Sequence, residues 1–197
     1  MATVTQPKRL TAEEFMAADL GEGSFELVRG EVVEVPPAMP DHGRVCGKAC
    51  FVLETYGRQT GLGYTLSNDS AVVTERGPDT VRGPDVCFYR HTRWPESQLG
   101  DGLPPVPPDL AVEVVSPRNR PGEMLKKISE YLAVGVSVVW VIDPPRRRIA
   151  LYRPGDPFPV FFNDGEMLEN IPELPGFRCP VADFFIPVAP PKAPDSP

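Results

Sequence analysis

The chain lacks any apolar run long enough to span a bilayer, which argues against a membrane-crossing helix. Its start shows no basic segment followed by an apolar core, so no export signal is indicated and a cytoplasmic location is the default expectation. Paired-cysteine motifs are missing too. The cysteines at 46, 50, 87 and 179 include no CxxC, so no zinc-knuckle signature exists and free buried thiols are expected. Positive charge is also short: 20 Lys and Arg against 27 Asp and Glu give a net charge of −7. That balance disfavours a protein that grips phosphate backbones over a wide surface. It does not exclude a local site, because only the local field meets a ligand and clustered carboxylates add negative charge themselves.

Proline is abundant instead, with 26 in 197 residues against the ~5% usual in proteins. Much of the excess falls in 104–108, expected as an extended loop, and in 187–197, expected as a disordered tail. Residues 1–9 are expected to be a flexible N-terminus and 10–186 a single domain, with no internal repeat. Apolar residues make up 41% of the chain, enough for one substantial core.

The strongest local signal is a carboxylate inside an apolar strand. In Asp109–Val115, alternation puts Leu110, Val112 and Val114 on one face and Ala111, Glu113 and Val115 on the other. Burying Glu113 is costly unless it is paired, hydrogen-bonded or on a metal, so it faces either solvent at a half-exposed edge or something it binds. Ser116-Pro117 stops the strand. Residues 123–134 carry apolar side chains at 124, 125, 128, 131 and 132, which predicts a helix closed by Gly135. Val136–Ile142 is then a nearly unbroken β-branched run, as for a central strand covered on both faces. Strand, helix and strand over about thirty residues predict a βαβ unit with parallel strands.

At about 100° per residue the helix stripe is centred between Leu125, Ile128 and Tyr131. This points Lys126 outward and leaves Lys127 at the margin, where its stem can run along apolar surface toward the end of the sheet. Asp85, in Gly83-Pro84-Asp85-Val86, precedes another strand and either ends a turn or joins a site. Two carboxylates and a lysine, Asp85, Glu113 and Lys127, can hold a divalent metal and activate water. Thr11-Ala12-Glu13-Glu14 has capping-box form and predicts a short helix to about Asp19. Residues 25–28 and 31–35 alternate around Arg29-Gly30 and predict a hairpin. Asp41 is expected to cap a helix buried through Val45, Ala49, Val52, Leu53 and Tyr56, with His42 in its first turn. Strands are expected at 63–74, 84–89, 148–153 and 159–162. Arg118, Arg120, Lys126 and Lys127 lie toward the site end, and Arg146-Arg147-Arg148 in the turn after the central strand.

The segments "PDVCFY", "PDLAVEVVSP" and "KISEYLAVGVSVVWVIDP", preceded by "FELVRGEVVEV" and "DHGRV", together resemble the Uma2 (DUF820) proteins over roughly residues 10–185. That family is grouped with the PD-(D/E)XK nucleases. The resemblance implies an α/β restriction-endonuclease-like fold, a central mixed sheet flanked by helices. It implies that Asp85 and Glu113 are the superfamily's metal-binding acids, and that Lys127, four residues before Tyr131, stands in for the lysine replaced here by Val115. Glu26 and His42 match the family's other polar positions, Glu26 as a further metal ligand, and Glu31 is a neighbour of less certain role. The implied function is an Mg²⁺- or Mn²⁺-dependent endonuclease acting on DNA as a homodimer. The alternative is a nuclease-like scaffold that no longer cuts and serves as an interaction or nucleic-acid-binding module.

Overall fold

A computed structural model describes residues 9–116 and 121–185. Arg118, Arg120, the 187–197 tail and residues 1–8 of the N-terminus lie outside the described residues.

The chain opens with α1 (Ala12–Ala17), whose capping box is formed in both directions: Thr11 accepts from the Glu14 amide at 3.1 Å, and Glu14 accepts from the Thr11 amide at 3.0 Å. Strands β1 (Ser24–Val28) and β2 (Glu31–Val35) form the expected hairpin. Its turn residues Arg29 and Gly30 both take positive φ, 52° and 83°, the geometry whose twist suits a two-residue hairpin. Helix α2 (Pro40–Thr60) begins one residue before Asp41. Its N-cap is Met39, without a side-chain cap bond, so Asp41 is not the cap. Pro40 occupies the first turn, where its missing N–H costs nothing, and Asp41 instead places a negative charge near the helix N-terminus.

The expected strand over 63–74 is two strands, β3 (Gly63–Ser67) and β4 (Val72–Glu75), in different sheets. Asn68 and Asp69 break it, both at positive φ, a conformation that a continuous strand cannot contain. The short strand β5 (Thr80–Arg82) completes a four-stranded sheet of order β2-β1-β5-β4. Strands β6 (Val86–Arg90), β7 (Leu110–Val114), β8 (Val138–Asp143), β9 (Arg148–Tyr152) and β10 (Val160–Asn163) join β3 in a six-stranded sheet of order β10-β9-β8-β7-β6-β3. The β7–β8 pair is parallel, joined through α3 (Pro121–Ala133), and the sheet's other pairs are antiparallel. A small hairpin of β11 (Met167–Glu169) and β12 (Arg178–Pro180) follows; the sequence pattern does not predict it.

Alternation sorts the core into two layers. Leu110, Val112, Val114, Phe88 and Trp140 pack with Val45, Ala49 and Leu53 of α2. Ala111, Cys87, Tyr89, Val139 and Val141 pack with Met124, Ile128 and Tyr131 of α3. Every residue of β7 and β8 is buried, so Glu113 faces α3 from inside the protein rather than from an exposed edge. Close approach sets the fit of α2 on β3: a Cβ on Gly57 would lie 2.4 Å from the Gly63 carbonyl oxygen, which only glycine tolerates. On α3 the buried stripe is Met124, Ile128 and Tyr131, while Leu125 is 56% exposed. The stripe is therefore rotated from the expected one, and Lys127, 20% exposed at its side chain, lies at its edge beside Met124 and Tyr131. No helix among the described residues is long and apolar enough to cross a membrane.

Candidate active site

The chain passes from the small sheet to the large one through Gly83-Pro84-Asp85, between β5 and β6. Asp85 Oδ2 accepts a 2.6 Å hydrogen bond from the Val114 amide, which ties this link to the end of β7. Asp85 Oδ1 lies 3.4 Å from His42 Nε2, and the same nitrogen lies 3.1 Å from the Val114 carbonyl oxygen. Glycine is needed at 83 because a Cβ would sit 2.7 Å from the Cβ of Asp69 and 2.9 Å from its carbonyl oxygen. The loop after β3 is thereby pressed against the link.

Glu113 is 4% exposed. Its Oε1 accepts a 2.8 Å bond from the Tyr131 hydroxyl and lies 3.5 Å from Lys127 Nζ. The Lys127 ammonium also reaches Glu26 Oε1 at 2.8 Å. Glu26, projecting from β1, accepts from the Gly83 amide on Oε1 and from Arg82 Nη1 on Oε2, at 3.3 and 2.8 Å. Arg82 turns its remaining fork onto Glu130 of α3, Nε at 2.6 Å and Nη2 at 3.1 Å. The result is an ionic chain, Glu113–Lys127–Glu26–Arg82–Glu130, buried at Glu113, Glu26 and Arg82 and half-buried at Lys127 and Glu130, running from the large sheet to the hairpin sheet and back to α3.

Burial pushes the Glu113 carboxyl up; Lys127 opposes this and Asp85 adds to it, leaving it at about 7. Burial also works against ionising Glu26, but the charges of Lys127 and Arg82 outweigh it and hold Glu26 below the usual carboxylate range. For Lys127, burial is outweighed by Glu113 and Glu26, so its pKa rises and it is a firm cation at neutral pH. Burial and the neighbouring Asp85 raise Asp69. The hydrogen bond that His42 donates to Asp85 raises His42 despite partial burial. A raised histidine favours the folded state fully below its ordinary 6.5, and that contribution is lost as pH climbs through the raised value.

The structure thus brings Glu26, His42, Asp85, Glu113 and Lys127 into one connected cluster. Lys126 is outside it, half-exposed and 3.7 Å from Glu130. Glu31 is exposed on β2. Arg146 and Arg148 pair with Asp143 in their own turn, and Arg147 with Asp164 after β10, so the arginine triplet is engaged in salt bridges. Arg82, Asp69 and the hydroxyl of Tyr131 are site residues that sequence reasoning missed as such. The signal for Tyr131 was present, four residues after Lys127. Arg82 had none, since a three-residue strand has no readable period. All four cysteines are free as expected, but Cys46 and Cys50 are only half-buried. Cys46 Sγ lies 3.4 Å from His42 Nδ1, and burial, with Asp85 nearby, pushes its thiol well up.

The carboxylates of Asp85 and Glu113 are oxygen donors of the type that hard divalent cations take. Their electrostatics fit such an ion: the negative neighbour Asp85 helps hold Glu113 up toward neutrality, a pressure that a bound cation relieves.

A family model described as "Uma2: Putative restriction endonuclease" matches residues 12–182. Among solved structures, the chain is similar to a protein from Anabaena variabilis ATCC 29413 described as "a putative nuclease belonging to DUF820". The TM-score is 0.76 at 19% identity, covering 89% of this chain and 97% of that one. A search of the curated proteins gives no match.

Proposed function

This chain belongs to the Uma2 family, and from that footing we propose that it is a metal-dependent endonuclease that hydrolyses DNA phosphodiester bonds. The observation that carries this reading is the Lys127 ammonium held between the buried carboxylates of Glu113 and Glu26. An enclosed lysine requires such pairing, and here the pairing also sets its ammonium 3.5 Å from Glu113, a proposed metal ligand. Asp85 and Glu113 would hold Mg²⁺ or Mn²⁺. Glu26, whose oxygens already serve Lys127, Gly83 and Arg82, adds negative charge beside them and keeps Lys127 in position.

When bound, the ion polarises the phosphate and makes water a better nucleophile at neutral pH. Water oxygen forms the new bond to phosphorus, the ester P–O bond breaks, and the departing oxygen takes up a proton. Lys127 donates hydrogen bonds to the negative charge that develops on the phosphoryl oxygens, a stabilisation greater in the transition state than in the ground state. His42, aligned by Asp85 and the Val114 carbonyl, contacts the phosphate or relays a proton. The buried Tyr131 hydroxyl orients Glu113 through its 2.8 Å hydrogen bond.

Incubating the purified full chain with supercoiled plasmid and Mn²⁺ is expected to nick and linearise it, with EDTA abolishing the reaction and added metal restoring it. Cutting that survives EDTA contradicts the proposal. Failure to cut plasmid or single-stranded DNA when Mn²⁺ demonstrably binds would support the silent scaffold instead.

We also propose a homodimer, since duplex DNA presents two strands to a two-fold protein. Light scattering at tens of micromolar is then expected to read twice the 21.6 kDa chain mass. Monomer alone at that concentration rules the dimer out.

A further inference from the structure

The Mn²⁺ or Mg²⁺ reading makes no use of Cys46, yet this thiol stands beside two of its residues. His42 and Cys46 are four apart on α2, which puts them on one face of the helix. His42 Nδ1 is 3.4 Å from Cys46 Sγ, and His42 Nε2 is 3.4 Å from Asp85 Oδ1. One ligand atom from each of His42, Cys46 and Asp85 can be chosen so that all three lie within 4.8 Å of one another. Ligand atoms around a tetrahedral zinc ion are about 3.5 Å apart at ordinary bond lengths, so the widest pair in the group closes by at most about 1.3 Å on binding.

The surroundings also suit a metal-bound histidine. The Val114 carbonyl oxygen lies 3.1 Å from Nε2. An Nε2–H donated there leaves Nδ1, the nitrogen facing Cys46, bare for a metal, and a backbone carbonyl on the distal nitrogen is a common support for ligating histidines. Cys46 is only partly buried, so an ion can reach it. The donor set of sulfur, imidazole nitrogen and one carboxylate selects Zn²⁺ over Mg²⁺ or Mn²⁺, which prefer oxygen.

We infer that His42, Cys46 and Asp85 form a Zn²⁺ site, three protein ligands with a fourth position open to solvent, and that zinc there competes with the hard cation for Asp85. Zinc replaces the thiol proton, which leaves to solvent, and the sulfur becomes a thiolate ligand. The binding site stands on its own geometry; the competition rests on the nuclease reading, because it requires that Asp85 also hold Mn²⁺ or Mg²⁺. On that reading zinc is an inhibitor of the reaction rather than its cofactor.

Co²⁺ serves as the optical probe for the full-length chain, since thiolate ligation gives an intense near-ultraviolet charge-transfer band. The wild type and Cys50→Ser are expected to show the band, and one equivalent of Zn²⁺ to bleach it. Cys50 contacts Thr65 at 3.7 Å, one turn further along α2, and so controls for the loss of a thiol from this helix. Cys46→Ser should lack the band and bind Zn²⁺ roughly 100-fold more weakly, and His42→Asn should weaken Zn²⁺ at least as much as loss of a supporting residue does, roughly 10-fold. Saturating Zn²⁺ should weaken Mn²⁺ binding tenfold or more in the wild type but not in Cys46→Ser. Absence of the thiolate band in the wild type, or wild-type Zn²⁺ affinity in Cys46→Ser, overturns the site. Mn²⁺-dependent cutting without the band leaves the nuclease reading standing and removes this inference alone. A thiolate band in a protein that binds no Mn²⁺ keeps the zinc site and removes the competition with it.

Discussion

On the proposed reading, Lys127→Ala is expected to lower DNA cleavage by on the order of 10²-fold or more, as when a donor to transition-state charge is removed. Mn²⁺ affinity is not weakened, because the substitution deletes a positive charge 3.5 Å from Glu113 and so takes repulsion away from an incoming cation. Lys126→Ala is the control one position along the same helix. Lys126 is half-exposed, and its partner Glu130 is 3.7 Å away at helical i,i+4 spacing, an arrangement worth only about 0.3–0.5 kcal/mol. Single-turnover cleavage measured below each variant's melting transition, with Mn²⁺ titration beside it, separates the two. Equal losses at 126 and 127 would remove Lys127 from the chemistry.

The largest expected effect on stability belongs to a residue outside the proposed metal ligands. Arg82 is 7% exposed and bonds both Glu26 and Glu130. Arg82→Ala leaves the buried Glu26 and the half-buried Glu130 without that partner, and breaking a buried pair this way costs roughly 3–5 kcal/mol. For a domain of this size each kcal/mol is worth about 2–4 °C, so the melting temperature should fall by roughly 6–20 °C. The cost lies in the stranded charges rather than in lost attraction, so Arg82→Met combined with Glu130→Leu should recover part of the fall. Calorimetric melting of the three proteins decides. A drop under about 2 °C in the single variant, close to the ~1 kcal/mol ceiling of a surface pair, would mean that the cluster is solvated after all.

The parts of the fold that were legible in the sequence are those in which period and burial agree. The β7–α3–β8 unit, the Arg29-Gly30 hairpin and the capping box at Thr11 follow from alternation, from turn residues able to take positive φ and from side-chain caps, all local effects. Glu113 stood out for a related reason, since a carboxylate within an unbroken apolar strand demands a partner. The start of α2 was misplaced by two residues, its N-cap being Met39 rather than Asp41, because Pro40 competes with Asp41 as a starting signal. The stripe on α3 was rotated because Leu125 and Met124 are equivalent in hydrophobicity, and only docking against β4 and β8 selects which is buried. Arg82 and Cys46 were invisible as site residues for a different reason. Arg82 bonds residues 48 and 56 positions away, and Cys46 meets Asp85 only through the seating of α2 on the sheet. Partnerships of that range leave no local period to detect.

Whether Asp85 and Glu113 hold the metal ion is decided by a calorimetric Mn²⁺ titration of the wild type, Asp85→Asn and Glu113→Gln. Each substitution replaces a charged oxygen ligand with a neutral amide, so each is expected to weaken Mn²⁺ by about tenfold or more. Wild-type affinity should also decline as pH falls below about 7, where Glu113 takes up the proton that a metal must displace. Unchanged Mn²⁺ affinity in both variants, especially with a raised melting temperature from the removal of a buried charge, would instead make the two carboxylates structural and contradict the account.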